Sequence, residues 1–374
     1  MITEQIAAGG TSIWLDDLSR GKIIGLDQHS LPYRIAHDGV VGVTTNPSIF
    51  SSAISKGAEY RADISAMKES TVADVVKKLT TDDVRGACDL FTSIYLATSG
   101  LDGRVSIEVD PRSARDTAAT ISEARELWRV VDRPNVLIKV PATVEGLPAI
   151  TELISAGISV NVTLIFSIER YVQVVDAFIS GLEKRLAIGG DISTVTSVAS
   201  LFVSRIDSAI DPQLKAIGTP AATALLGKAA IANARLAYEA FELKKKTARW
   251  KELEDHGARM QRPLWASTGV KDPAYQDTRY VLELIAPDTV NTMPQATLDA
   301  VIDHGQFQKI DIASTYEDSR SIFVSLATVG IDIASVTVEL ELDGVTKFAD
   351  AWIELLHNVG EVLKADQVGG VDQA

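Results

Sequence analysis

Short apolar runs rich in β-branched residues recur along the chain, and each is followed by a longer stretch with helical periodicity. Apolar runs bounded by turn residues indicate strands, and apolar positions three or four residues apart indicate amphipathic helices. The pattern predicts eight strands, at residues 12–16, 42–45, 105–109, 136–140, 159–164, 198–201, 263–267 and 289–293.

Helical stretches separate these strands, and the clearest of them lie at residues 113–130, 168–186 and 221–260. Alternating strands and helices imply parallel pairing through crossovers, so the sequence predicts an α/β fold, a (β/α)8 TIM barrel with additional helices. No linker divides the chain, and one domain is expected over residues 1–374 with a helical excursion around 221–262. The alternative is a doubly wound open sheet. The glycine-rich phosphate-binding motifs typical of such sheets, G-x-G-x-x-G and G-x-x-x-x-G-K-[ST], do not follow any of the predicted strands.

Polar residues interrupt the apolar runs near the carboxyl ends of the predicted strands, where a barrel of this kind carries its chemistry. Any one of them could cap a helix or close a turn. Together they predict a shared pocket. In chain order they are Asp16, Thr45 with Asn46, Glu108, Lys139, Asn161 with Thr163, Ser200, Ser267, and Asn291 with Thr292.

Lys139 is the most informative of these residues because it lies inside the apolar run at residues 136–140. Burial without a partner disfavours the ammonium form of a lysine and favours a nucleophilic amine. A structural lysine that is ion-paired or extends its amine to water is the alternative. An amine that attacks a ketone forms a carbinolamine and then an iminium ion, and these steps need proton carriers. Asp16 and Glu108 are the candidates.

Composition narrows the possible functions. With 374 residues, of which 46% are hydrophobic, the chain is expected to be globular. A net charge of -14 argues against a nucleic-acid partner. No signal-like start or bilayer-length apolar run is present, so no membrane association is expected.

Cysteine and histidine usage further restricts the chemistry. Cys88 is the single cysteine, so no internal disulfide can form, and we expect a cytoplasmic protein in which Cys88 is buried and not a nucleophile. The five histidines are scattered without metal-ligand spacing. The sequence therefore predicts no metal site and no cofactor.

Six ordered blocks carry a resemblance to a known family. They are GVTTNPSIF at 42–50, VSIEVDPR at 105–112, LIKVPATVEG at 137–146, ISVNVTLIFS at 158–167, ASLFVSR at 199–205 and DTVNTMP at 288–294. The chain resembles, over nearly its whole length, the transaldolases, which are lysine-dependent enzymes of the pentose phosphate pathway. The resemblance implies that Lys139 forms a Schiff base with a ketose and that Asp16 acts as acid and base at the C4 hydroxyl.

The resemblance also assigns the other pocket residues. Glu108 and Thr163 would hold the water that shuttles protons during dehydration of the carbinolamine. Two asparagines would bind the dihydroxyacetone portion, and an arginine would bind the terminal phosphate of the substrate. The expected substrate-binding set is Asn46, Thr45, Asn161, Ser200, Phe202, Arg205, Ser267 and Lys271.

One departure from the family pattern follows the seventh strand. Many relatives have Ala-Ser-Phe-Arg there, whereas this chain has ASTGVK at residues 266–271. The second phosphate-binding arginine is therefore missing at its usual spacing. Lys271 either replaces it two residues later, as a point charge, or lies on the surface without a role in binding.

The expected activity is the reversible transfer of a dihydroxyacetone unit from sedoheptulose 7-phosphate or fructose 6-phosphate to glyceraldehyde 3-phosphate or erythrose 4-phosphate. A lyase of the fructose-6-phosphate aldolase type is the alternative, although that branch tends to have tyrosine where this chain has Phe202. A non-catalytic barrel that binds sugar phosphates is the third hypothesis. The sequence leaves a monomer and a homodimer both open.

Overall fold

Eight parallel strands form a closed barrel in the computed structural model, which describes residues 1–369. Each strand pairs with its neighbours in chain order, and the last pairs with the first. The prediction of a (β/α)8 barrel is confirmed. The strands are β1 Thr11–Leu15, β2 Val40–Val43, β3 Arg104–Glu108, β4 Val136–Pro141, β5 Val160–Ile165, β6 Ser197–Phe202, β7 Arg262–Ala266 and β8 Thr289–Met293.

Helices fill the connections and surround the barrel. They are α1 Ile2–Ala8, α2 Arg20–Ile24, α3 Leu31–His37, α4 Pro47–Lys56, α5 Arg61–Ala66, α6 Val72–Leu90, α7 Thr92–Ala97, α8 Thr117–Val131, α9 Gly146–Ser155, α10 Ile168–Ala187, α11 Ser204–Ile217, α12 Pro220–Thr223, α13 Ala229–Lys245, α14 Ala248–Asp255, α15 Arg279–Leu282, α16 Gln295–His304, α17 Tyr316–Thr328 and α18 Ile333–Gly369.

The strands are buried on both faces, which explains their continuous apolar character. Every residue of β4, β5 and β6 is buried. One face of each strand fills the barrel and the other packs under the surrounding helices, so both faces need apolar side chains. Polar side chains inside these strands must therefore find partners within the barrel.

The second strand begins and ends two residues earlier than the prediction of 42–45. Gly42 lies in its centre, where a Cβ would come within 2.6 Å of the Trp14 indole. The close packing of β1 and β2 therefore requires glycine inside this strand. Thr44 and Thr45 follow β2 instead of lying within it.

The long helical region predicted at 221–260 is interrupted. It consists of α12, α13 and α14, with Gly227 in the left-handed region at φ +69° and Thr247 as the N-cap of α14. Three aromatic side chains of this region, Tyr238, Phe241 and Trp250, are buried in the main core. The domain predicted over 1–374 includes residues 370–374, which lie outside the described part.

The last described helix, α18, is the longest and contacts the carboxyl end of the barrel through β5. It also packs on α4 and α6, which both follow β2, and on α11, which follows β6. Within residues 1–369 no single helix is long and apolar enough to span a membrane. One bent pair of helical segments, Ile312–Thr328 with Ile333–Lys364, would be long and apolar enough when taken together, by length and composition only. The two segments meet at an angle of 93°.

Candidate active site

A cavity of about 150 Å³ opens at the carboxyl ends of the strands. Ten of the residues predicted for the pocket or for substrate binding line it, together with five residues that the prediction omitted. The predicted ones are Asp16, Asn46, Lys139, Thr163, Ser200, Phe202, Arg205, Ser267, Lys271 and Thr292; the others are Thr44, Ala266, Gly269, Pro294 and Phe348.

Lys139 lies at the base of this cavity, with 4% of its surface exposed. Strand register places it beside Glu108 on β3 and Asn161 on β5. Its Nζ donates to the carbonyl oxygen of Thr45 at 3.1 Å and lies 3.3 Å from Glu108 Oε2. The lysine is thus buried but has a charged partner, which the sequence segment alone did not reveal.

Glu108 is the buried carboxyl group of the site. Neither carboxylate oxygen has an aligned hydrogen bond within the described chain, although Lys139 is within ion-pair distance. Burial raises the pKa of Glu108 to about 7, and the nearby Lys139 charge limits this rise. A carboxyl group that titrates near neutral pH can both donate and accept a proton.

Asp16, directly after β1, is the second carboxyl group at the cavity. Thr44 Oγ1 donates to Asp16 Oδ1 at 2.6 Å, and Thr44 Oγ1 is also 2.6 Å from Thr292 Oγ1. Burial raises the pKa of Asp16, opposed by the Lys139 charge and the Thr44 hydrogen bond. Asp16 is therefore held in place by two threonines while facing the space above Lys139.

Asn161 supports the site from below the cavity surface. Its Nδ2 donates to Ser106 Oγ at 3.0 Å, and its Oδ1 accepts from Ser200 Oγ at 2.7 Å. Asn161 is fully buried and does not line the cavity, whereas Ser200 does. The amide thus fixes two serines and reaches the cavity only through Ser200.

Two other predicted polar residues do face the cavity. Asn46 is the N-cap of α4, and its Oδ1 accepts from the Ile49 backbone N–H at 3.0 Å. This bond uses one end of the amide and leaves the Nδ2 group for a ligand. Thr163 is fully buried, and its hydroxyl has no hydrogen-bond partner within residues 1–369. An unpaired buried hydroxyl that lines a cavity is suited to hold a ligand or a water molecule.

The opposite side of the cavity is cationic. Arg205 lies in the first turn of α11 with its guanidinium 5.2 Å from the Phe202 ring centroid, and its Nη1 is buried without a hydrogen-bond partner in the described chain. Burial lowers the pKa of Arg205 from its ordinary value. Lys271 is exposed at the same cavity, and Ser267 lies between them at φ +54°. These cations could hold a phosphate.

Thr45 and Glu108 do not line the cavity, although both contact Lys139. The Thr45 hydroxyl donates to the Ser106 carbonyl oxygen at 2.7 Å, and the neighbouring Thr44 faces the cavity instead. Asn291 and Thr292 show the same alternation, since the Asn291 amide donates to the Tyr280 carbonyl oxygen and Thr292 faces the cavity. Successive side chains point to opposite faces, so an offset of one residue changes the assignment.

Phe348 is the cavity residue that the sequence analysis missed entirely. It lies on α18, more than 50 residues after the last strand, with its ring centroid 5.4 Å from Lys139 Nζ. No strand-end pattern could identify it. Among residues 1–364, whose side chains the structure describes, no group of three or more histidine, cysteine, aspartate or glutamate residues is arranged to hold a metal ion.

Comparison with known proteins agrees with this geometry. Residues 13–359 match the model of a family described as Transaldolase/Fructose-6-phosphate aldolase. A transaldolase from Mycolicibacterium smegmatis is 55% identical over 353 residues, which cover 94% of each chain. A transaldolase from Frankia alni is 52% identical over 361 residues, and one from Arthrobacter sp. (strain FB24) is 54% identical over 359, each covering 96% of both chains. The prediction of a transaldolase, and so of an enzyme, is confirmed: the chain belongs to the transaldolase/fructose-6-phosphate aldolase family.

Proposed function

We propose that this chain transfers a dihydroxyacetone unit between sugar phosphates through a Schiff base on Lys139. The donor is a ketose phosphate such as sedoheptulose 7-phosphate or fructose 6-phosphate, and the acceptor is glyceraldehyde 3-phosphate or erythrose 4-phosphate. The observation that carries the proposal is the Lys139 amine at the base of the cavity, 3.3 Å from the Glu108 carboxylate and facing the same space as Asp16.

Schiff-base formation begins with addition of the Lys139 amine to the C2 carbonyl of the ketose. The amine loses a proton, the carbonyl oxygen gains one, and the resulting carbinolamine loses water to give the iminium ion. Glu108 supplies a proton for this loss of water, directly or through a water molecule on the Thr163 hydroxyl. The pKa of Glu108, about 7, and the unpaired Thr163 hydroxyl support these roles.

Carbon-carbon cleavage then depends on Asp16. Its carboxylate accepts the proton of the C4 hydroxyl, the C3–C4 bond breaks, and the electron pair moves into the iminium to give an enamine on Lys139. The aldose leaves, and the enamine attacks the aldehyde carbon of the acceptor while Asp16 returns the proton. This step regenerates an iminium ion, and water adds at its C2 to release the product ketose and the Lys139 amine. The short hydrogen bond from Thr44 keeps the Asp16 carboxylate in place for both steps.

Substrate binding uses the remaining polar groups. Asn46, with its free Nδ2, and Ser200 bind the hydroxyl groups of the dihydroxyacetone portion, and Asn161 positions Ser200. Arg205 binds the terminal phosphate with its unpaired Nη1, and Lys271 adds a second positive charge at the same corner. Transfer is favoured over simple lysis by Phe202, which places no hydroxyl group beside the intermediate.

Three broader points belong to the same proposal. The protein acts in the cytoplasm, which is supported by Cys88 as a free, buried thiol. Residues 1–374 form one functional unit, which is supported by the burial of Trp250 and Phe241 of the inserted region in the main core. A monomer and a homodimer both remain compatible with the site, because every residue assigned a role comes from one chain.

The test is borohydride reduction in the presence of fructose 6-phosphate, followed by mass mapping of the modified peptide. We expect one dihydroxyacetone-derived adduct, on Lys139. An Asp16→Ala variant should still form an adduct with the intact ketose but should slow release of the aldose by about 100-fold or more. A folded, ligand-bound protein without an adduct on Lys139 would overturn the proposal, as would loss of the adduct in Asp16→Ala.

A further inference from the structure

Phe348 is the cavity side chain nearest to Lys139 that does not come from the strands or the loops directly after them. Its ring centroid is 5.4 Å from Lys139 Nζ, and only 6% of the residue is exposed. The lysine nitrogen therefore faces a carbonyl oxygen of Thr45, a carboxylate of Glu108 and an apolar ring. The first two serve the proton steps, and the ring has no role in them.

The ring is held in place by neighbouring aromatic side chains and by the seating of α18. Phe348 packs on Phe202 at a centroid distance of 6.3 Å, and Phe202 packs on Phe166 at 5.3 Å. One turn earlier on α18, a Cβ at Gly344 would lie 3.0 Å from Leu164 Cδ2 on β5. With a larger residue, Leu164 or α18 would have to shift by a few tenths of an ångström, so glycine allows α18 to lie close against β5 at this point.

Polar contacts fix α18 on either side of this point. Glu341 forms an ion pair with Arg170 of α10 at 3.3 Å, and Asn358 Nδ2 donates to Ser51 Oγ of α4 at 3.2 Å. These contacts join the helix to elements that follow two different strands. The position of Phe348 over the lysine is therefore a consequence of several independent contacts of α18.

The proposed reaction can continue in two ways once the enamine has formed on the Lys139 nitrogen. After the aldose leaves, the enamine on Lys139 either attacks an acceptor aldehyde or takes a proton at C3. Protonation gives an iminium ion, which adds water at C2 and releases free dihydroxyacetone and the lysine amine. The first branch is transfer and the second is lysis. Both branches end with hydrolysis of an iminium ion at C2, and only the second requires a proton donor, such as water, at C3 of the enamine.

We propose that Phe348 determines the outcome of this branch by excluding water from the enamine, an inference that rests on the proposed function. The ring occupies the space beside the nitrogen where water would otherwise reach the intermediate. Its face also attracts the cationic form of the nitrogen, which keeps the ring and the reacting group together. Phe348 is thus a specificity-determining residue that the chain supplies from its C-terminal helix.

The experiment compares release with transfer in Phe348→Ala and Phe348→Leu. Release is the rate at which fructose 6-phosphate alone yields free dihydroxyacetone, and transfer is the rate at which fructose 6-phosphate and erythrose 4-phosphate yield sedoheptulose 7-phosphate. We expect the ratio of release to transfer to rise about tenfold or more in Phe348→Ala, and about threefold in Phe348→Leu, because smaller side chains admit water. An unchanged ratio overturns the inference, and Phe348→Leu decides the matter if Phe348→Ala does not fold.

Leu355→Ala is the matched control. Leu355 lies two turns further along α18, is fully buried and does not line the cavity. This substitution removes apolar contacts of α18 without opening the space beside Lys139, so the ratio should stay at the value of the unaltered protein. A rise equal to that in Phe348→Ala would show that loosening of α18, and not the Phe348 ring, causes the effect, and would also overturn the inference.

The unaltered protein separates this inference from the proposed function. If it forms no adduct on Lys139 and transfers no three-carbon unit, the proposed function fails. If it transfers the unit normally while the Phe348 variants keep the same ratio, only the role of Phe348 fails. Trapping of the Lys139 adduct in each variant confirms that the nucleophile itself is unaffected.

Discussion

The two ends of the cavity differ in how completely their polar groups are paired. At the lysine end, Lys139, Asp16 and Thr44 line the cavity, and Glu108 and Thr45 lie behind its surface. Lys139 contacts a carbonyl and a carboxylate, and Asp16 accepts a hydrogen bond from Thr44. At the cationic end, formed by Arg205 and Lys271, Arg205 Nη1 is buried without a hydrogen-bond partner and Lys271 is exposed, as far as the described residues extend.

This difference separates two physical tasks. Proton transfer needs groups held in fixed positions before the substrate arrives, and paired, buried groups meet that need. Anion binding needs donors whose partner is the ligand itself, so the guanidinium stays unsatisfied until a phosphate occupies the site. Substitutions at the lysine end should therefore lower kcat, and substitutions at the cationic end should raise KM.

The largest effect is expected for Lys139→Ala. Loss of the nucleophile should reduce kcat by about 10⁴-fold or more, because Lys271, the other lysine that lines the cavity, is exposed at the cationic end. The fold should persist: without the lysine charge the pKa of the buried Glu108 rises further, and the carboxyl group stays neutral. Steady-state kinetics and thermal unfolding measure the two properties. Residual turnover within tenfold of the unaltered protein would contradict the assignment.

Glu108→Gln should have the next largest effect, a decrease in kcat of about 100-fold, since the amide cannot donate the proton for loss of water from the carbinolamine. In the unaltered protein, the rate of Schiff-base formation should fall as the pH rises through about 7, where Glu108 loses that proton. The variant should lack this inflection. Borohydride trapping at short times across pH 5.5–8.5, a range of about three units around the raised pKa, measures it.

Glu123→Gln is the control for this titration. The pKa of Glu123 is also raised to about 7 by burial. Glu123 and Glu108 line the same second cavity, but the Glu123 carboxylate accepts from the Asp110 backbone N–H at 2.9 Å, whereas Glu108 is the carboxylate beside Lys139. The inflection should remain in this variant. Its disappearance would mean that Glu108 is not the group that titrates in the Schiff-base step.

The same pKa of Glu108 affects stability. Because it is raised from 4.5 to about 7 in the folded protein, the folded state binds more protons than the unfolded state between these values. The stabilising contribution is complete below about pH 4.5 and is lost as the pH rises through about 7. As the pH rises between these limits, the free energy of unfolding of the unaltered protein should therefore fall relative to that of the Glu108→Gln variant, by about 3 kcal/mol at most. Urea unfolding at several pH values measures this difference.

The smallest effects are expected at the cationic end. Arg205→Ala should raise KM for fructose 6-phosphate by about 10- to 100-fold with little change in kcat, since charge-assisted hydrogen bonds to the phosphate are lost. Lys271→Ala should raise KM by only about threefold, because an exposed point charge is screened by solvent. Neither variant should alter turnover of unphosphorylated fructose. If Lys271→Ala has the larger effect, the lysine has taken over from the missing arginine.

The strand-end pattern was sufficient to locate most of the site but not to orient every side chain. Lys139 and Glu108 were identified because each interrupts an apolar run at a strand end, and register places them side by side. Thr45 was chosen where Thr44 faces the cavity, because the prediction placed both threonines inside β2, whereas the strand ends at Val43 and both follow it. A one-residue offset reverses the face, and short apolar runs do not fix their own ends.

The inserted helical region illustrates a second limit. Its amphipathic pattern predicted helix over 221–260, and most of those residues are helical. The breaks after α12 and α13 depend on turn residues such as Gly227 and Thr247. The apolar pattern continues across these residues, so it did not predict the breaks. Trp250 of this region lies in the core with no exposed surface.

By itself the sequence determined the barrel and brought Lys139, Asp16 and Glu108 forward as candidates for the nucleophile and the proton carriers, because alternating strands and helices restrict the topology and a barrel gathers its strand ends at one face. Only the tertiary structure decided which partner keeps Lys139 buried, which threonine holds Asp16, and that Phe348 lies beside the reacting nitrogen. The physical reason is separation along the chain. Contacts within a strand or between adjacent strands follow from local periodicity, whereas the seating of α18 over β5 depends on packing between residues far apart in sequence.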